Sequence, residues 1–210
     1  MSSANPYAPP SAPPPPDVRP SFTFLKKPAA GMASLLFTIL TLWLGVLVLR
    51  IFSKPDIVDA YYIFLGFQPQ TFLAGLVWTP LTFQFLHENW IQLFYGGLLL
   101  YLFGSEVERR IDRPVLMFVL FVVTAMLTAG LIGALTLFDF IRGVSTVGMW
   151  PFAYAICVIF LFLEGHRRIG PVPVWIPAVL LMLPGLPSPH AWGGLLGGLV
   201  CRAIIAARIG

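Results

Sequence analysis

Residues 78–90 read Trp78-Thr79-Pro80-Leu81-Thr82-Phe83-Gln84-Phe85-Leu86-His87-Glu88-Asn89-Trp90. The stretch sets aromatic rings and a histidine at the head of a run, Asn89 to Ser105, that carries no charge. Aromatic side chains collect at the water–lipid boundary of membrane proteins, so this reads as a transmembrane helix met at its interface. The run closes on Leu102-Phe103-Gly104-Ser105-Glu106-Val107-Glu108, in which Gly104 and Glu108 are four apart and share a helix face. The glycine permits close helix approach, and the glutamate is expected to reach the inner interface and its arginines.

The same pattern extends in both directions. Between Lys27 and Arg50 lie 22 uncharged residues, rich in leucine. Further uncharged runs cover 114–138, 143–163 and 169–201. The last is too long for one helix, and Pro184-Gly185-Leu186-Pro187-Ser188-Pro189 divides it, because prolines end helices. The expected spans are therefore about 30–52, 90–105, 114–138, 149–163, 171–186 and 190–207. Together they make an all-α membrane domain of six helices over residues 30–207, with no room for a separate soluble domain.

Composition agrees. Apolar residues are 58% of the 210 and charged residues 10%, against about a quarter in soluble domains. Mean hydropathy is +0.85. The net charge of +4 does not point to nucleic acid, because the basic residues stand singly or in pairs between apolar runs. They read as a topology signal. Residues 60–86 carry no charge and eight aromatics, and a seventh span there is conceivable on hydropathy. Six spans with the amino terminus inside place ten basic residues inside and three (Arg50, Lys54, Arg142) outside. A seventh would invert most of them. The expectation is thus an aromatic-rich loop in the outer interface between the first two helices, with both termini cytoplasmic. Residues 1–29, with eight prolines in the first twenty, form a polar tail expected to be disordered or polyproline II. It is a spacer or the ligand of a soluble partner. No secretory signal precedes Lys26-Lys27. Cys157 and Cys201 lie in apolar runs without metal-type spacing, and no cofactor or metal is expected.

In their order, these motifs resemble the rhomboid family. Trp78, Thr82, Phe85 and His87 fall in register with its Trp-Arg-x-x-Thr-x-x-Phe-x-His approach to the second helix, with Thr79 for the arginine. Gly104 and Glu108 are similar to its Phe-Gly-x-x-x-Glu ending. His190-Ala191-Trp192-Gly193-Gly194-Leu195-Leu196-Gly197 is similar to its last helix, His-x-x-Gly-x-x-x-Gly. His190, Gly193 and Gly197 share a stripe expected to press helix six on helix four.

The resemblance implies an intramembrane serine protease scaffold, with a serine on helix four, a histidine base on helix six and an oxyanion hole from helix two. Counting from His87, Gln92 stands where the family usually has histidine, and Gly96 where it has asparagine. On helix four the frame Thr146-Val147-Gly148-Met149-Trp150-Pro151-Phe152-Ala153-Tyr154 keeps Gly148 and Tyr154. It puts Trp150 at the serine position and Pro151 at the following glycine. Indole offers no nucleophilic oxygen. The expectation is a catalytically inactive rhomboid that binds transmembrane segments of client proteins within membrane lipid, for sorting, quality control or sequestration. The alternative is an active endopeptidase using Ser145, from Gly143-Val144-Ser145-Thr146, with His190. Against it, Ser145 lies five residues before the motif position, about 7 Å if helical; as a plain structural residue it is a helix cap or loop hydroxyl. His190 is otherwise a buried neutral histidine, and His87 an anchor of the interface loop. A small transporter or channel is a third class, disfavoured because the spans hold almost no ionisable residues.

Overall fold

The computed structural model describes residues 27–141, 147–164, 168–169 and 172–209. Helix α1 (Ala30–Phe52) follows a proline-bounded start and a leucine-rich run. Its buried residues Met32, Ile39 and Val46 recur every seven positions, so it touches the bundle along one narrow stripe. The remaining apolar surface, including Phe37, Leu40 and Leu44, faces outward as a lipid-facing helix does. Among the described residues, three helices are long and apolar enough to cross a membrane: α1, α7 (Pro114–Leu137) and the last helix through Ala207.

The expected interfacial loop is built of short helical pieces: α2 (Pro55–Leu65), α3 (Pro69–Leu73), α4 (Thr79–Thr82) and a 3-10 turn, Phe83–Phe85. Their far end is wedged along α7. Phe67 and Phe83 pack with Ala125, Ala129 and Ile132, and the Phe85 ring lies 5.3 Å from that of Phe121. Phe121 is seven residues into α7, about 10 Å from its start, so the segment inserts deep beside that helix.

The second long helix is α5 (Trp90–Leu99), a π turn (Leu100–Gly104) and α6 (Ser105–Ile111) in continuous succession. Asn89 caps it by accepting from the Gln92 amide at 2.8 Å. The helix thus runs past residue 105, where the span was expected to end. Glu108 does not turn to the arginines as expected. Its two oxygens accept from the amides of Gly31 at 2.8 Å and Met32 at 2.7 Å, capping α1 from a different helix. The free N–H groups and positive dipole of a helix start favour a carboxylate there over a mobile surface cation. Glu106 takes the arginine role, 2.7 Å from Arg109.

Helix α8 (Trp150–Glu164) is central: every residue from Pro151 to Phe160 is buried. A two-residue hairpin, β1 (Arg168–Ile169) with β2 (Val172–Pro173), leads to α9 (Trp175–Met182). The span expected over 171–186 is shorter than foreseen. Val172 and Pro173 are strand, and α9 with the 3-10 turn Leu183–Gly185 extends about 18 Å.

The last helix, α10 (Pro189–Ile209), carries a correction. A Cβ on Gly193 would sit 2.8 Å from the Cα of Thr128, and one on Gly197 3.1 Å from the hydroxyl of Thr124, both on α7. The helix-four contact belongs to the neighbouring pair. A Cβ on Gly194 would overlap the Pro151 carbonyl, and one on Gly198 would lie 2.7 Å from Val158 Cβ. Adjacent residues on a helix point about 100° apart, so two glycine stripes let α10 lie in the crease between α7 and α8.

Candidate functional site

The site assembles where the start of α5 meets the start of α8. Gly148 has φ of 109°, a conformation glycine adopts freely, and its amide donates to the Phe83 carbonyl at 2.9 Å. A Cβ there would overlap the Gln92 amide nitrogen. Both polar atoms of the Gln92 side chain are engaged: Nε2 donates to the Val147 carbonyl at 2.8 Å, and Oε1 accepts from the Glu88 amide at 2.9 Å. With the Asn89 cap, this is a reciprocal arrangement like a capping box, extended to clasp the chain that enters α8. Its side chain works as a structural clasp.

Gly96 is buried, and the space a side chain would need is filled. A Cβ there would lie 2.7 Å from Cγ and 3.2 Å from Sδ of Met149. Met149 is itself 1% exposed. Its role is absent from any sequence motif, because it follows from the void that a glycine leaves on a facing helix. Trp150 opens α8 with its ring stacked on Tyr95 (centroids 6.4 Å apart, planes 26°) and tilted against Tyr154 at 5.7 Å. Tyr154 is fully buried, and its hydroxyl donates to the Met182 carbonyl, tying α8 to the end of α9. Pro151 occupies the first turn, where a missing N–H costs nothing.

His190 stands in the first turn of α10. Its amide donates to the Ser188 hydroxyl at 3.1 Å, and its Nδ1 is buried without a hydrogen-bond partner among the described residues. Ser145 lies outside the described residues. Near α5, Trp78 donates from its indole to the Phe64 carbonyl at 2.8 Å, and Thr82 donates to the Leu65 carbonyl at 2.7 Å. His87 is 1% exposed, and among the described residues neither ring nitrogen makes a well-formed hydrogen bond. Burial pushes its pKa down, to about 4. Its carbonyl accepts from the Tyr62 hydroxyl at 2.8 Å, and Arg50 donates to Tyr62 and to the Glu88 carbonyl, each at 3.1 Å.

Residues 74–208 match the family model of the rhomboid domain. The chain belongs to the rhomboid family. No curated protein matches it. The match covers the helices that carry the Trp78–His87 approach, the Gly104–Glu108 ending and the paired glycines of α10. This rhomboid is an integral membrane protein whose apolar exterior contacts lipid. Among the described residues no group of three or more histidines, cysteines or carboxylates could hold a metal ion.

Proposed function

We propose that this rhomboid has lost peptide cleavage and retained the binding of transmembrane segments of client proteins. The observation that supports the reading is the filling of the site: Trp150, which the motif register sets at the family's serine position, stacks on Tyr95, and Met149 takes the volume facing Gly96. A single lost oxyanion donor costs ~10²–10³ in rate, but a missing nucleophile removes the covalent route. Six spans and two cytoplasmic termini belong to the same proposal, as does a soluble partner for the proline-rich tail. Client binding is supported by an apolar recess of about 640 Å³ between α7 and the α3–α4 segment. Gly130 and Gly133 line it, and a Cβ on either would meet nothing within 4 Å. Small residues let a second helix backbone approach closely in lipid.

The test is labelling of the purified chain by a fluorophosphonate probe in detergent. No labelling is expected. Labelling that disappears in Ser145→Ala overturns the proposal and establishes the protease reading with Ser145 and His190. For the client, a photo-crosslinker at Gly133 is expected to capture a transmembrane helix. Gly130→Leu, which has room for its side chain, is expected to abolish the capture without lowering stability.

A further inference from the structure

Two recesses adjoin along α1 and the start of α5. One is an apolar groove of about 410 Å³ between α1 and α5, lined by Leu36, Ile39, Trp43, Phe94, Gly97 and Met149 among others. The second lies beyond it, more polar, with Arg50, His87, Glu88 and Asn89. Trp43 and Trp90 belong to both. An apolar groove thus opens at one end onto a cation framed by two tryptophans.

We propose that this composite groove binds one zwitterionic phospholipid, its phosphate on Arg50 and an acyl chain between α1 and α5. Three observations carry it. The first is length: from Arg50 back to Leu36 is 14 residues of α1, about 21 Å, which is the depth of one leaflet with its headgroups. The groove therefore starts where a phosphate lies and ends near the bilayer midplane. The second is size. The groove, at about 410 Å³, is smaller than the 640 Å³ recess on α7, and it suits a hydrocarbon chain, which is far thinner than a helix at 10–12 Å across. The third is charge. Arg50 donates to Tyr62 and to the Glu88 carbonyl, and no other partner holds it among the described residues. Two of its five N–H groups are used, so three remain for a phosphate held in place by a pre-oriented guanidinium. Glu88 lines the same recess and is exposed. Its carboxylate suits the ammonium of a zwitterionic headgroup and disfavours one with net negative charge. Trp90, at the start of α5 beside Asn89, sits at the level where indoles bracket headgroups, and Trp43, about 10 Å deeper on α1, lines the path of the chain.

The experiment follows thermal unfolding of the full chain in dodecyl maltoside on addition of dioleoylphosphatidylethanolamine. A ligand of the folded state raises the midpoint with concentration, here by about 5 °C at saturating excess. Dioleoylglycerol, which lacks the phosphate, and inorganic phosphate, which lacks the chain, are expected to give no comparable rise. Gly97→Leu fills the groove, and its Cβ has room, the nearest atom being Leu36 Cδ2 at 3.9 Å. It is expected to fold and to lose the response. Arg50→Gln is expected to lose the response as well, and the Gly97 variant decides the matter if Arg50→Gln does not fold. A rise that survives Gly97→Leu overturns the proposal. So does an equal rise with dioleoylglycerol, or a rise with dioleoylphosphatidylglycerol that matches the ethanolamine lipid.

Discussion

At the scale of single residues, the site is decided by which side chain fills which volume. Gly96→Asn puts an asparagine where the motif register expects one, yet its Cβ would press on Met149, which is sealed in the core. Overpacking of this kind costs about 1–3 kcal/mol. The expected outcome is a destabilised Gly96→Asn, recovered by Met149→Ala, as read by thermal unfolding in detergent. Equal stability of Gly96→Asn and the parent would show that Met149 does not occupy this space. His87 gives a second prediction. Its folded-state pKa is depressed to about 4, against about 6.5 unfolded, so it stays neutral when folded. Its contribution is fully present above pH 6.5, declines as pH falls toward 4, and amounts to roughly 3 kcal/mol. The parent should therefore lose more stability between pH 7 and pH 4.5 than His87→Gln does. Identical slopes would mean that the ring is solvated. Of this site, the sequence singled out Trp150 and Gly96 by motif register alone, and the structure brings the first beside Tyr95 and the second beside Met149. Motif counting compares residue types at fixed places, and Met149 and Val147 matter only through contacts across helices. Gln92 was read only as a replacement for the family's histidine, and its partners, Glu88 and Val147, are visible only in three dimensions.

Among the elements, helix ends and faces were read with unequal success. Uncharged runs bounded by charge and proline locate α1 and α7, because burial in lipid and a missing N–H act locally. The division of labour on α10 was not legible. Gly193 and Gly197 match a motif, while Gly194 and Gly198 look like incidental neighbours, and only the position of α8 gives the second pair its role. The variants Gly193→Leu and Gly194→Leu are both expected to disrupt folding, by separate mechanisms. The first pushes α10 from Thr128, the second from Pro151. A compensating Thr128→Gly should recover part of the loss in Gly193→Leu and none in Gly194→Leu, measured by thermal unfolding. Equal recovery of both would place the stripes on one face. Glu108 belongs to this scale too. It was expected beside arginines because charge pairing is the simplest reading of a glutamate at an inner helix end. A sequence does not reveal that another helix begins within reach. Glu108→Ala should cost about 1 kcal/mol by uncapping α1, and Glu108→Gln less, since an amide oxygen still accepts.

For the whole molecule, the contacts at the helix ends constrain how the chain passes through the membrane. Glu108 holds the start of α1, Arg110 meets Glu164 of α8 at 2.6 Å, and the Arg202 guanidinium lies 3.8 Å above the Phe162 ring. The start of α1 and the ends of α6, α8 and α10 therefore gather at one end of the bundle. Arg50, Tyr62 and Glu88 gather at the other. An even number of crossings follows if the bundle spans the bilayer, and the orientation proposed from the sequence, with ten basic residues inside and three outside, is the one to test. The native cysteines, Cys157 and Cys201, are buried and should react slowly, so engineered cysteines report cleanly. Ser3→Cys and Gly210→Cys are expected to resist a membrane-impermeant maleimide applied to intact cells and to react after permeabilisation, while Lys54→Cys reacts from outside. If Ser3→Cys and Gly210→Cys report from opposite faces, the even count is wrong and the segment over residues 53–88 crosses the bilayer as a seventh span. If both react from outside, the count stands and the orientation is reversed.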